Sequence, residues 1–241
     1  MNLKDQAIKT LFLDVGNTLI SMDFDWIGEK LAKIGIPCDP AAIRRAEAAA
    51  RPALSAKIHE NRNNPAFKTR DFLFANLLEN LALEVTGEYR FLEEVSRYLI
   101  AELFPDGNAL RLWSRVMPGV REALTRFRAM GFDLHVISNA DGTIERQLVQ
   151  KNLRPFFGLV IDSHVVQIEK PDPRIFQMAL ELADCHPRDA LYVGDIYHVD
   201  VLGAQSAGMQ AVLLDPFADW QSAPCEKVPD LLVLAKRFEK P

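Results

Sequence analysis

The chain has 241 residues, 49% apolar and 25% charged, enough to bury a core without disulfide or metal staples. Its net charge of -5 argues against a nucleic-acid footprint, and no apolar run approaches the ~18 residues of a membrane span. Cys38, Cys185 and Cys225 are scattered without metal-ligand spacing, and Met1 to Thr10 lacks the apolar core of a signal peptide, so the expectation is a cytoplasmic protein with reduced thiols.

Leu11-Phe12-Leu13, closed by Asp14 and Gly16, predicts a buried strand with a loop at its carboxyl end. From about Met22 to Met117 the pattern is almost entirely helical. Phe24, Ile27, Leu31 and Ile34 step along one helix face. Asp39-Pro40 predicts an N-cap with proline at the first helical position. Ile43, Ala46, Ala50 and Leu54 continue an apolar face that Pro52 should kink or break. Leu73, Leu77, Leu81 and Val85 form a stripe ended near Gly87. Phe91, Val95, Leu99 and Leu103 form another, ended by Pro105-Asp106-Gly107. Such stripes predict helix packing rather than a cofactor box.

After Pro118-Gly119 strands alternate with helices. Strands are predicted at Phe132 to Ser138, Leu159 to Ile161, Ala190 to Val193 and Ala211 to Leu214, with helices from Thr143 to Asn152, Pro173 to Ala183 and Val201 to Ala207. Leu231 to Leu234 reads equally as an edge strand or a helix. Alternation of this kind predicts a doubly wound, Rossmann-like parallel sheet, whose ligands bind at the carboxyl ends of the strands. Asp14, Ser138 and Asp195 each fall at or just past such an end. The simplest α/β architecture is a core of residues 1–20 and 117–241, with residues 21–116 inserted as a helical cap.

Two carboxylates, Asp14 and Asp195, suit Mg²⁺, a hard ion that takes oxygen ligands. Lys170 can offset their charge, and Ser138 can donate to a phosphoryl oxygen. Taken singly, Lys170 reads as a solvated loop lysine, and Asp200 as an acid at a helix start.

The ordered set Asp14-Val15-Gly16-Asn17-Thr18, Ser138-Asn139, Lys170-Pro171-Asp172-Pro173, and Gly194-Asp195 with Asp200 resembles the haloacid dehalogenase superfamily. The resemblance implies catalytic roles for Asp14 as nucleophile, for Ser138 and for Lys170. It implies Mg²⁺ held by Asp14, Asp195 and the Gly16 carbonyl, with Asp200 orienting that site. Val15, Gly16 and Asn139 would face a small phosphorylated substrate, with neither nucleic acid nor membrane as partner. In phosphatases of the superfamily the residue two after the nucleophile is an acidic general acid; here it is Gly16. Asp23, Asp25, Asp141 and His198 are candidate replacements. The alternatives are a 2-haloacid dehalogenase, a phosphonatase using one of Lys30, Lys33, Lys57 or Lys68, and a non-catalytic phosphate binder. Trp26 is expected to pack within the cap.

Overall fold

The computed structural model describes residues 8–81, 92–104 and 110–239. The chain divides into two compact units, Met1–Ser21 with Arg115–Pro241, and Met22–Ser114.

The first unit is built on a six-stranded, all-parallel sheet. Its strands are β1 (Thr10–Leu13), β4 (Asp133–Ser138), β5 (Val160–Asp162), β6 (Ala190–Gly194), β7 (Gln210–Leu214) and β8 (Glu226–Val228), in the order β5-β4-β1-β6-β7-β8. β1 lies near the middle and is buried on both faces, which is why its residues are continuously apolar rather than alternating. Two further strands, β2 (Ile20–Met22) and β3 (Trp113–Val116), pair separately. Both points where the chain passes between the units fall within them.

One face of the large sheet contributes Phe12, Ile137, Ile161, Tyr192 and Ala211. Against it pack Ile175, Phe176 and Ala179 of α8 (Pro173–Leu182) and Ala204 of α9 (Leu202–Ser206). Elsewhere α5 (Val120–Ala129) and α10 (Leu231–Phe238) meet through an aromatic trio, in which Phe132 stands edge-on to Phe127 at 5.8 Å and to Phe238 at 5.0 Å. The ambiguous Leu231 to Leu234 segment is therefore helical. Asp230 caps it, accepting from the Val233 N–H at 2.8 Å. Between the strands lie α6 (Ile144–Gln150) and the single turn α7 (Ser163–Val166). The chain after Asp195 forms a wide π-type turn, Tyr197–Val201, before α9.

The second unit is helical. α1 (Phe24–Lys33) buries Phe24, Ile27 and Leu31, the expected stripe. α2 spans Pro40–Glu60, capped by Asp39, whose carboxylate accepts from Ala41 N–H at 2.8 Å. Of the kink or break expected at Pro52, the break does not occur. A proline removes one N–H, so only the bond to the Ala48 carbonyl is lost. The rest of the 21-residue helix is retained, with Ile43, Ala46, Ala50 and Leu54 all buried. α3 (Thr69–Asn80) buries Phe74, Leu77 and Leu78, and α4 (Leu92–Leu103) buries Val95, Leu99 and Leu103. Val85, Gly87, Phe91 and the Pro105-Asp106-Gly107 stop lie outside the described residues. Trp26 is partly buried against this core, with the Arg111 guanidinium 4.7 Å and the Lys30 ammonium 5.6 Å from its ring. Among the described residues, no helix is long and apolar enough to cross a membrane.

Candidate active site

The site forms at the carboxyl ends of the central strands, because a parallel sheet leaves its backbone groups and following loops on one rim. Asp14 follows β1, Ser138 ends β4, and Asp195 follows β6. β1 lies between β4 and β6 in the sheet, so three segments distant in sequence become neighbours. Asp14, Ser138, Lys170, Asp195 and Asp200 are all buried.

Lys170 is no solvated loop lysine. Its ammonium donates three hydrogen bonds, each 2.7 Å, to Asp14 Oδ1, Asp200 Oδ1 and the Tyr192 hydroxyl. An ammonium has three N–H groups, so this set engages all of them. Burial disfavours the charged lysine, but Asp14 and Asp200 outweigh it and hold its pKa above the ordinary value. Asp14 moves the opposite way from a simple ion pair. Burial pushes its pKa up, Lys170 opposes that, and the second negative charge of Asp200 adds to the rise. Two carboxylates share one lysine, and neither is fully neutralised.

Asp200 is engaged on both oxygens. Besides Lys170, it accepts from the backbone N–H of Asp195 at 3.1 Å and of Ile196 at 2.8 Å. The π-type turn makes this possible by bringing Asp200 back over the start of its own loop, where its N–H bonds the Ile196 carbonyl at 2.7 Å. Gly194 is required for the same reason: a Cβ there would lie 2.3 Å from Asp200 Cγ. Asp195 accepts from Asn17 Nδ2 at 3.2 Å, which ties the β6 loop to the β1 loop.

The β1 loop turns tightly. Thr18, Leu19 and Ile20 N–H groups all point at the Val15 carbonyl. Asn17 adopts a left-handed conformation, φ 51°, which asparagine tolerates better than most residues. The bonds flanking Gly16 run from Ile20 N–H to the Val15 carbonyl and from Asn17 N–H to the Ile20 carbonyl, and neither uses the carbonyl of Gly16. The Val15 N–H favours the charged form of the Asp14 carboxylate itself.

Asn139 clamps Lys170 by its backbone. Its Oδ1 accepts from Lys170 N–H at 2.8 Å, and its Nδ2 donates to the Lys170 carbonyl at 2.9 Å. The geometry thus gives the Asn139 amide a positioning part. The rest of that loop is held from β5: Asp162 accepts from Gly142 and Ile144 N–H groups, and Ser163 Oγ from Ala140 N–H.

The candidate replacement acids are distributed differently. Asp23 belongs to the helical unit, caps α1 by accepting from Trp26 N–H at 3.2 Å, and pairs with Arg111 at 3.1 Å. Asp141 is exposed and accepts from the Thr143 hydroxyl. Asp25 is exposed in the first turn of α1, and His198 packs edge-on against Tyr197. Of the lysines of the helical unit, Lys30 pairs with Glu102, Lys57 with Glu60, and Lys68 donates to the Pro65 carbonyl.

Tyr192, Asn17 and Asp162 were missed by sequence reasoning. A signal existed for Tyr192. It alternates with Ala190 and Gly194 inside a buried strand, and a buried phenol needs a hydrogen-bond partner.

The carboxylate oxygens of Asp14, Asp195 and Asp200 lie within 4.8 Å of one another. Three buried carboxylates this close together, of which Lys170 bonds Asp14 and Asp200, offer an all-oxygen donor set that fits a hard divalent cation.

Comparison with known proteins places the chain in a family. The profile of haloacid dehalogenase-like hydrolases matches residues 8–208. The human protein called haloacid dehalogenase-like hydrolase domain-containing protein 3 is 30% identical over 214 residues, 86% of this chain and 82% of the relative. Its mouse counterpart is 37% identical over 128 residues, and that match spans about half of the relative, 51%. A glyceraldehyde 3-phosphate phosphatase of Methanothermobacter thermautotrophicus is 37% identical over 103 residues, 42% of this chain and 45% of that one. Among solved structures, a HAD phosphatase from Thermococcus onnurineus has a TM-score of 0.58 at 23% identity, covering 95% of this chain and 97% of the other. A 2-haloacid dehalogenase from Pseudomonas syringae pv. Tomato has 0.53 at 25% identity, covering 96% and 98%. The fold is thus shared by enzymes of both chemistries, and the chain belongs to the haloacid dehalogenase-like hydrolase family.

Proposed function

We propose that this hydrolase is a Mg²⁺-dependent phosphatase of small phosphorylated metabolites, working through an aspartyl-phosphate at Asp14. The observation that carries the proposal is the buried group of Asp14, Asp195 and Asp200, with carboxylate oxygens within 4.8 Å of one another and Lys170 bonding the first and the last. Attack on carbon with loss of halide calls for no divalent cation, and so gives no use for a cluster of three carboxylates at the nucleophile. The named phosphatases among the relatives support the same reaction class.

In this reading Asp14 Oδ1 is fixed by Lys170, which leaves the other oxygen to attack phosphorus. Asp14, Asp195 and the Gly16 carbonyl would hold Mg²⁺, which supplies charge neutralisation to the phosphoryl oxygens. Asp200 has its oxygens engaged by Lys170 and two backbone N–H groups, so it orients the site instead of ligating. Ser138 would donate to a phosphoryl oxygen, as would the Gly16 N–H and, on turning from the Asp14 carboxylate, the Val15 N–H. We take the Met22–Ser114 unit as the family's helical cap, which favours small substrates. A cytoplasmic setting belongs to the same proposal. Cys38, Cys185 and Cys225 are free thiols whose pKa values burial raises, Cys225 to about 11.

Gly16 cannot protonate a leaving group, and such help is typically worth ~10²–10⁴ in rate. Substrates with good leaving groups, aryl and acyl phosphates, should therefore be preferred. The test is hydrolysis of an aryl and an alkyl phosphate with and without Mg²⁺, beside Asp14→Asn. The expected result is Mg²⁺-dependent turnover favouring the aryl ester and absent in the variant. Turnover that survives Asp14→Asn, or neither ester being cleaved by the wild type, overturns the reading.

A further inference from the structure

Lys170 is tied to the tip of β4 at both of its ends. At the backbone, Asn139 bonds both its N–H and its carbonyl, at 2.8 and 2.9 Å. At the ammonium, the tie is Tyr192. The Tyr192 hydroxyl accepts from Lys170 Nζ at 2.7 Å and lies 2.9 Å from the Ile137 carbonyl, to which it donates. Ile137 and Asn139 flank Ser138, so the two ties bracket the serine from both sides.

A phenol has one proton. The Ile137 carbonyl is nearer to it than Asp200 Oδ1, which is 3.3 Å away, so the proton goes to the carbonyl and a lone pair faces the lysine. The ammonium lies 5.3 Å from the ring centroid but only 2.7 Å from the oxygen, so it sits beyond the hydroxyl and not over the ring face. Burial, then the Asp200 charge, keeps the phenol protonated. Tyr192 is fully buried and has no route to a substrate contact.

We propose that Tyr192 is a positioning residue: its hydroxyl is the third acceptor that aligns Lys170 with Asp14 and locks the lysine to the strand tip carrying Ser138. Two carboxylates alone leave an ammonium free to share its third N–H with solvent or substrate. The neutral third acceptor removes that freedom without adding charge. Lys170 then fixes the Asp14 rotamer, while phosphoryl oxygens are left to Ser138, the backbone N–H groups and the cation. The kinetic part of this proposal rests on the phosphatase reading; the alignment itself does not.

Tyr192→Phe tests it, since phenylalanine keeps the edge-on ring contact with Phe176 at 5.2 Å. Lysine is labelled with ¹⁵N, and the Lys170 ammonium signal is assigned by its loss in Lys170→Met. In the wild type the signal should be sharp and slow to exchange with water; in Tyr192→Phe it should broaden or vanish. In steady state, kcat for an aryl phosphate should fall at least 10-fold while KM stays within about 2-fold. An unchanged ammonium signal overturns the alignment. A changed signal with unchanged kcat overturns the role in the reaction. If Tyr192→Phe does not fold, replacing tyrosine by 3-fluorotyrosine weakens the hydroxyl as an acceptor and should shift the Lys170 signal; no shift overturns the proposal. A wild type without turnover refutes the phosphatase reading alone, and the ammonium signal still decides the alignment.

Discussion

Adding one methyl group at Gly194 should dismantle the site from within. The new Cβ would lie 2.3 Å from Asp200 Cγ and 2.5 Å from Oδ2, where non-bonded carbons ordinarily stay about 3.5 Å or more apart. The obstacle is a buried carboxylate, not the end of a mobile chain, so Asp200 must shift by roughly 1 Å or β6 must bend. Overpacking of this kind costs about 1–3 kcal/mol. A shift of that size also breaks at least one bond from Lys170, Asp195 N–H or Ile196 N–H, each involving a charged group and worth about 1.5–3 kcal/mol. The total is about 2.5–6 kcal/mol. At about 2–4 °C per kcal/mol for a chain of this size, Gly194→Ala should lower the melting midpoint by roughly 5–24 °C. The assay is a thermal melt of Gly194→Ala in the wild-type and the Asp200→Gly backgrounds, the second of which also removes the Asp200 Cβ that would lie 2.6 Å from the new methyl. In the second background the clash has lost most of its target, so the alanine should cost at least ~1.5 kcal/mol less. Equal costs in both backgrounds, or a wild-type loss under ~2 °C, would refute the steric argument.

Three further outcomes are expected. Gly16→Asp should raise alkyl-phosphate hydrolysis by up to ~10²-fold with a smaller effect on aryl esters, measured as the ratio of the two kcat/KM values. Asp195→Asn should raise the Mg²⁺ concentration for half-maximal turnover at least ~10-fold, because the carboxylate proposed as a ligand becomes a neutral amide that still faces Asn17. The third concerns His135, buried, with its Nδ1 accepting from Leu159 N–H at 3.0 Å. Burial lowers its pKa, with Asp133 opposing and Arg128 adding to the fall. A histidine depressed in the folded state binds its proton preferentially when unfolded, so its contribution is intact above the ordinary value near 6.5 and is lost as pH falls below it toward the folded pKa. His135→Gln should flatten the melting midpoint against pH below about 6.5; an unchanged acid slope would refute the assignment.

The sequence by itself determined much of the frame. Short apolar runs separated by helical stripes specify a parallel α/β sheet, since both periodicities are local properties of the chain. A cap was legible for the same reason: Asp39 before Pro40 bonds Ala41 N–H. So was the placement of Asp14, Ser138 and Asp195 at strand ends, because the turn residues that stop each strand follow directly.

Only the tertiary structure decided what those residues touch. Asp14 and Lys170 are 156 positions apart, and nothing in either segment specifies a shared hydrogen bond. Burial turned a lysine that reads as solvated into the hub of two carboxylates and a phenol. The strand Glu226–Val228 has a charged sequence and exists because its backbone pairs with β7. Leu231 to Leu234 became a helix because Asp230 caps it and Phe238 joins the aromatic trio with Phe127 and Phe132. Local pattern fixes how a segment folds. Which neighbour completes its hydrogen bonds is a property of the packed chain.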